Sequence, residues 1–219
     1  GQYISTEDEK RSVILHHTVS LNADSAWRWW NTTPERVGTQ YIIDRDGTII
    51  ECFDPKYWAF HLGVVGDDNW HESHSVAIEI VAAGFLHKEE DKFLFYPLWP
   101  NKFRPVVIPK EEVAELKTEF RGFKYYHKYS EAQIKSLIWL LGHIKETFPT
   151  VVLDNDLTDF GKFDPSIVKD HIPGIWCHTN FREDKTDLYP DTDLLKALKD
   201  FQKSLIPSST VNPKSPKSK

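Results

Sequence analysis

Methionine is missing from this sequence altogether, and cysteine occurs only twice, at Cys52 and Cys177. Without a methionine the 219 residues hold no translation start, so the sequence is compatible with an upstream signal segment removed in processing. Two cysteines are too few for the disulfide framework of a small secreted scaffold. A Cys52–Cys177 pair and two free thiols both stay open, and with them the redox compartment. No apolar run approaches the roughly 20 residues needed to cross a bilayer, so a soluble chain is expected. An excess of positive charge is also lacking. Lys and Arg number 27 against 33 Asp and Glu, the net charge is −6, and the pI is near 5.9. That balance excludes the basic stripe a nucleic-acid surface needs to release counterions from phosphate. Internal repeats are absent as well.

What is present suits one α/β domain. At 40% hydrophobic, the chain can bury a single sizeable core. Val13 to Leu15 is a short β-branched run of the kind buried on both faces of a central strand, and Val76 to Val81 reads as another. Residues 41–44 and 48–52 are β-prone runs joined by Arg45, Asp46 and Gly47, a hairpin signal. Residues 23–31 form a short helix with Asn22 or Asp24 as its cap. A long helix runs from about Glu131 to Thr147, where Ile134, Leu137, Ile138, Leu141, Ile144 and Phe148 recur at helical spacing. Ser130 and Gln133 make a capping box at its start, and Pro149 lies past its end. A last helix covers about 193–205. Residues 207–219, rich in Ser, Pro and Lys, read as a disordered tail, leaving 1–206 as the folded domain.

Chemistry concentrates in three segments: residues 12–20 (SVILHHTVS), 75–81 (SVAIEIV) and 177–190 (CHTNFREDKTDLYP). His16 and His17 are neighbours, and successive side chains of a strand face opposite ways, so only one serves a given site. Taken alone, each is a hydrogen-bonded histidine at a strand end. Glu79 sits among Val76, Ala77, Ile78, Ile80 and Val81, where a carboxylate costs several kcal/mol unless a cation or hydrogen bonds compensate it. An Arg or Lys partner would serve structurally; a metal-bound water would serve chemically. Catalytic zinc sites take three protein ligands and leave a position to water.

In that order the three segments resemble the zinc-dependent N-acetylmuramoyl-L-alanine amidases of the peptidoglycan-recognition-protein-like family, in its Glu-base branch. The resemblance spans about residues 12–205. It implies a mixed central β-sheet flanked by helices, with zinc held in a groove by His17, His178 and Asp187. His17 is the ligand it selects, because in that family the ligand directly precedes a small polar residue, here Thr18. Lys185 and Asp187 follow His178 by seven and nine residues, one residue short of the family spacing. Glu79 is implied as the base that takes a proton from water and passes it to the leaving amine, and Lys185 as the cation stabilising the oxyanion. Another branch uses a Tyr where Thr39 stands here. Cys177 would suit zinc by chemistry, but alternation turns it away from His178.

His61, in Ala59-Phe60-His61-Leu62-Gly63, resembles an aromatic-His-small-Gly segment that lines the cleft in that family, which implies contact with substrate; a core histidine is the alternative. His71 and His74 read as a surface loop, His143 as solvent-exposed, and Trp27, Trp29 and Trp30 as a helix face packed on the sheet. Residues 83–129, rich in aromatics and charge, are expected to shape the cleft, with the basic residues of 121–126 meeting stem-peptide carboxylates. The implied function is hydrolysis of the amide between N-acetylmuramic acid and L-alanine in peptidoglycan or muropeptides. Its implied place is periplasmic or extracellular, with cytoplasmic recycling and phage-driven lysis open. Two other functions stay in view: a non-catalytic peptidoglycan-binding module, and a glycosidase pairing Glu79 with Asp187.

Overall fold

A computed structural model describes residues 2–97 and 104–206. The tail expected at 207–219 lies outside the described residues.

The chain folds as a mixed α/β domain around two five-stranded sheets. The first is built from β1 (Ser12–His17), β2 (Tyr41–Ile43), β3 (Ile49–Glu51), β4 (Ser75–Ile80) and β10 (Ile175–Cys177), in the order β10-β1-β4-β2-β3. β1 pairs parallel with both β10 and β4, β2 pairs parallel with β4, and only the β2–β3 hairpin is antiparallel. All six β1 positions are buried, as expected of a parallel strand covered on both faces.

Alternation along β1 separates two faces. Val13 and Leu15 share one with Val76, Ile78 and Ile80 of β4. These belong to the main core, together with Leu137, Leu140, Leu141 and Ile144 of α3 (Glu131–Thr147) and Leu194 and Leu198 of α6 (Thr192–Leu205). Full burial of each such side chain contributes roughly 1.5–3 kcal/mol. The start of α3 has the expected capping box, with Gln133 N donating to Ser130 Oγ at 3.1 Å and Ser130 N donating to Gln133 Oε1 at 2.9 Å. Gln133 Nε2 also donates to the carbonyls of Val81 and Ile43, at 2.8 and 3.2 Å, and so ties α3 to the ends of β4 and β2.

On the opposite face two patches leave a gap. Ile14 packs with Leu62, with Ile167 of α4 (Pro165–Lys169), and with Trp176 and Phe181. Ile42 and Val81 pack against Ala23, Ala26 and Trp30 of α1 (Ala23–Thr32), a helix capped by Asn22. Only Trp30 of the three tryptophans is buried; Trp27 and Trp29 are about half exposed, against expectation, because Ala23, Ala26 and Trp30 fill the inward face.

The second sheet accounts for most of the aromatic and charged stretch. Its strands β5 (Phe85–Glu89), β6 (Lys92–Phe95), β7 (Val106–Ile108), β8 (Val113–Phe120) and β9 (Phe123–His127) pair antiparallel in the order β7-β6-β5-β9-β8. Arg121 and Gly122, both at positive φ, form the β8–β9 turn. Among the described residues no helix is long and apolar enough to cross a membrane.

Candidate functional site

The gap on the α1 face of the first sheet is where the chemistry collects. β1 and β4 are in parallel register with His16 opposite Glu79, so the two side chains leave the same face from adjacent strands. β10 pairs Cys177 with Leu15, which brings the next residue, His178, alongside His16. His178 opens the short helix α5 (His178–Phe181). Asn180 pins this turn from below: its Oδ1 accepts from Cys177 N at 3.1 Å, and its Nδ2 donates to the carbonyls of Asp159 and Lys162. The chain then loops back to deliver Asp187.

His16 Nδ1, His178 Nδ1 and Asp187 Oδ2 form a nearly equilateral triangle with sides of 3.2, 3.1 and 3.1 Å. Two histidines and an aspartate also match the donor chemistry of catalytic zinc. A tetrahedral zinc with bonds of about 2.0–2.1 Å holds its ligand atoms roughly 3.3 Å apart, so the three atoms are spaced as such an ion requires. The unused ring nitrogens are engaged elsewhere: His178 Nε2 faces Leu62 O at 2.9 Å, and His16 Nε2 faces His61 Nδ1 at 3.0 Å. Because a carbonyl only accepts, His178 carries its proton on Nε2 and turns its Nδ1 lone pair toward the cluster, and a proton on His16 Nε2 shared with His61 would do the same for His16. Burial above all, with the charges of His178 and Lys185, lowers the His16 pKa to about 4 against the upward pull of Asp187, which leaves it neutral as a ligand must be. Against the upward push of burial, the charge of His178 and the close approach of both imidazoles hold the Asp187 carboxyl well below its usual range in the metal-free site.

Glu79 lies beside this cluster. Its Oε2 is buried and has no hydrogen-bond partner. Burial, and then the charge of Asp187, push its carboxyl well above the usual range, with Lys185 pulling the other way. Lys185 is half-buried and close enough for its charge to act on His16 as well. A buried carboxyl group and a cation therefore flank the triangle.

His17, expected as the ligand, is not part of this group. Alternation sends its ring to the α3 face with Val13 and Leu15, where Nδ1 meets Tyr129 Oη at 3.2 Å and Nε2 is buried without a partner. Desolvation lowers its pKa to about 4. A Cβ placed on Gly84, which has φ +79°, would come within 2.8 Å of His17 Nε2. Gly84→Ala is therefore expected to lower the midpoint of thermal unfolding. The left-handed backbone costs about 1–2 kcal/mol on its own, and the clash with the ring adds to it.

Other expectations also change. The His61 side chain is only 2% exposed and both its nitrogens are occupied, Nδ1 by His16 and Nε2 by Ser75 Oγ at 3.0 Å, so it is not a wall that substrate touches. Arg121 does not reach into the cleft; it donates to the carbonyls of Glu183 and Thr179, at 3.0 and 3.2 Å, on the loop between His178 and Asp187. His71 is fully buried rather than on a surface loop, and its Nδ1 meets Asp67 Oδ1 at 2.8 Å. Thr39, where another branch carries a Tyr, is buried and donates to Tyr41 O. His143 is exposed as expected. Cys177 points into the main core, and both cysteines are free thiols. Sequence reasoning passed over Glu72, which is 3% exposed and accepts hydrogen bonds from the backbone N–H groups of residues 61 to 63.

Comparison with known proteins fits this geometry. A sequence model of the family described as N-acetylmuramoyl-L-alanine amidase (Amidase_2) matches residues 7–188. No curated protein matches the chain. Among solved structures, AmpDh3 from Pseudomonas aeruginosa in complex with anhydromuramic pentapeptide is similar at 16% identity and a TM-score of 0.50, over 88% of this chain and 61% of that one. The N-acetylmuramyl-L-alanine amidase AmiD from E. coli, in complex with the substrate anhydro-N-acetylmuramic acid-L-Ala-D-γ-Glu-L-Lys, is similar at 16% identity and a TM-score of 0.52, over 88% and 59%. At such identity the likeness is one of fold, and the chain spans about three-fifths of the length of either structure.

Proposed function

The chain belongs to the N-acetylmuramoyl-L-alanine amidase family, and from that premise we propose that it hydrolyses the amide joining the lactyl group of N-acetylmuramic acid to L-alanine in peptidoglycan or muropeptides. One observation carries the reading: three ligand atoms stand 3.1–3.2 Å apart beside a buried, unpartnered carboxylate.

In this reading His16, His178 and Asp187 hold zinc. Zinc, when bound, supplies the Lewis acidity that makes water a nucleophile near neutral pH and polarises a carbonyl. The protein's own groups do the rest. Glu79 accepts the proton of the attacking water at its carboxylate, and as the carbon–nitrogen bond breaks it returns that proton to the leaving amine. The products are a carboxylate on the lactyl group and a free amine on the peptide. Lys185, whose charge acts on both His16 and Glu79, is in this reading the ammonium that meets the carbonyl oxygen as negative charge develops there, an interaction worth most in the transition state. His61 and the Leu62 carbonyl keep the histidine ligands in the tautomer that faces the ion.

The glycosidase reading finds little support. It needs a second carboxylate free to act on the sugar, whereas Asp187 Oδ2 is committed to both histidines. Digestion of purified sacculi followed by mass spectrometry of the products tests the proposal. The expected products are glycan carrying intact lactyl groups and free stem peptide, with release stopped by a chelator and restored by zinc. New reducing sugar ends without peptide, or binding without release, would overturn it.

A further inference from the structure

The outer partners of both histidine ligands come from consecutive residues of one irregular segment. His61 Nδ1 faces His16 Nε2 at 3.0 Å, and Leu62 O accepts from His178 Nε2 at 2.9 Å and from Arg182 Nη1 at 3.2 Å. Residues 61 to 63 belong to no helix or strand, so no ladder of backbone hydrogen bonds holds them in place. Glu72, on α2 (Trp70–Ser73), takes that role. Its Oε2 accepts from His61 N at 2.7 Å, its Oε1 accepts from Gly63 N at 2.9 Å, and Leu62 N lies 3.1 Å from each oxygen. His61 Nε2 is 3.5 Å from Oε2.

Three successive N–H groups turned toward one buried anion leave the Leu62 carbonyl pointing the other way, at His178. Burying a carboxylate costs several kcal/mol unless it is matched by donors. Here three backbone donors match it, through hydrogen bonds of the stronger, charge-assisted kind. A neutral side chain would fold the same turn less firmly.

We propose that Glu72 is the positioning residue of the metal centre: it clamps residues 61–63 so that one short segment fixes the ring orientation and tautomer of both histidine ligands. The proposal rests on the zinc reading given above. Its action reaches the ion only through His61 and Leu62, since Glu72 is not among the three ligand residues.

Metal affinity, measured apart from amide hydrolysis, tests it. Zinc dissociation constants are read by competition against a chromophoric chelator, and the cobalt-substituted proteins are compared by their visible absorption. Glu72→Ala is expected to weaken zinc binding about 10- to 100-fold and to alter the cobalt spectrum. Glu72→Gln keeps one acceptor oxygen, should give a smaller loss of the same kind, and carries the test if the alanine variant does not fold. Asp67→Asn removes one of the two acceptor oxygens that meet His71 on the same short helix. It is expected to lower the thermal midpoint while leaving the zinc constant and the cobalt spectrum unchanged. Wild-type affinity in both Glu72 variants, or an equal loss in Asp67→Asn, would overturn the proposal. A wild-type chain that binds no zinc would overturn both this and the proposed function, whereas one that binds zinc without releasing peptide would overturn the function alone.

Discussion

His16→Ala is expected to leave the protein without zinc and without amide hydrolysis, while His17→Ala keeps both. The two residues are adjacent and chemically identical, so the comparison isolates orientation. His16 contributes one corner of the triangle with His178 and Asp187. Removing it leaves two ligands, fewer than a catalytic zinc site uses, and the loss of affinity should exceed the roughly 10- to 100-fold typical of outer partners. His17 is buried on the far face against Tyr129. Truncating it should leave a cavity and cost about 2–4 kcal/mol of stability, visible as an earlier thermal transition at an unchanged zinc content. Elemental analysis and thermal unfolding of the two variants decide the matter; loss of zinc from His17→Ala with retention in His16→Ala would reverse the ligand assignment.

Glu79→Gln should retain zinc and lose about 100- to 10,000-fold in kcat, the usual contribution of a general base. Glutamine preserves the shape and cannot take a proton. The pH profile gives a second reading. Burial and the charge of Asp187 raise the Glu79 pKa, and the charge of bound zinc lowers it. As a base it must be ionised, so wild-type kcat should fall on an acid limb where Glu79 takes up a proton. The residual activity of Glu79→Gln should lack this limb. A variant within tenfold of wild type, or one with the limb intact, would remove Glu79 from the role.

Much of the scaffold could be read in the residues. The apolar runs around Val13 and Val76 are β1 and β4, the Asp-Gly pair joins β2 to β3, and Ser130 with Gln133 marks the start of α3. These signals are local, and each carries its own period or cap. The second sheet was not legible in the same way. Its strands mix charge with aromatics, as in Val113–Phe120, and their pairing depends on partners elsewhere in the chain. In the site, the residue types were readable and the choice of histidine was not. Val13, Ile14 and Leu15 are all apolar, so β1 shows no preference for which face meets the core and which meets the groove. The part of Glu72 was hidden for a different reason: its partners are backbone N–H groups, which every residue but proline carries and no sequence displays.

The tandem imidazoles at the end of β1 look like a ligand and its spare, but the pairing of β1 between two parallel neighbours rules out substitution. Sliding that strand by one position to bring His17 to His178 and Asp187 would exchange its two buried faces, take Val13 and Leu15 out of the main core, and break step with both flanking strands at once. Two identical side chains are thus made non-interchangeable by the pleat and the register together, and an insertion or deletion within these six residues would cost the fold before it could exchange one for the other.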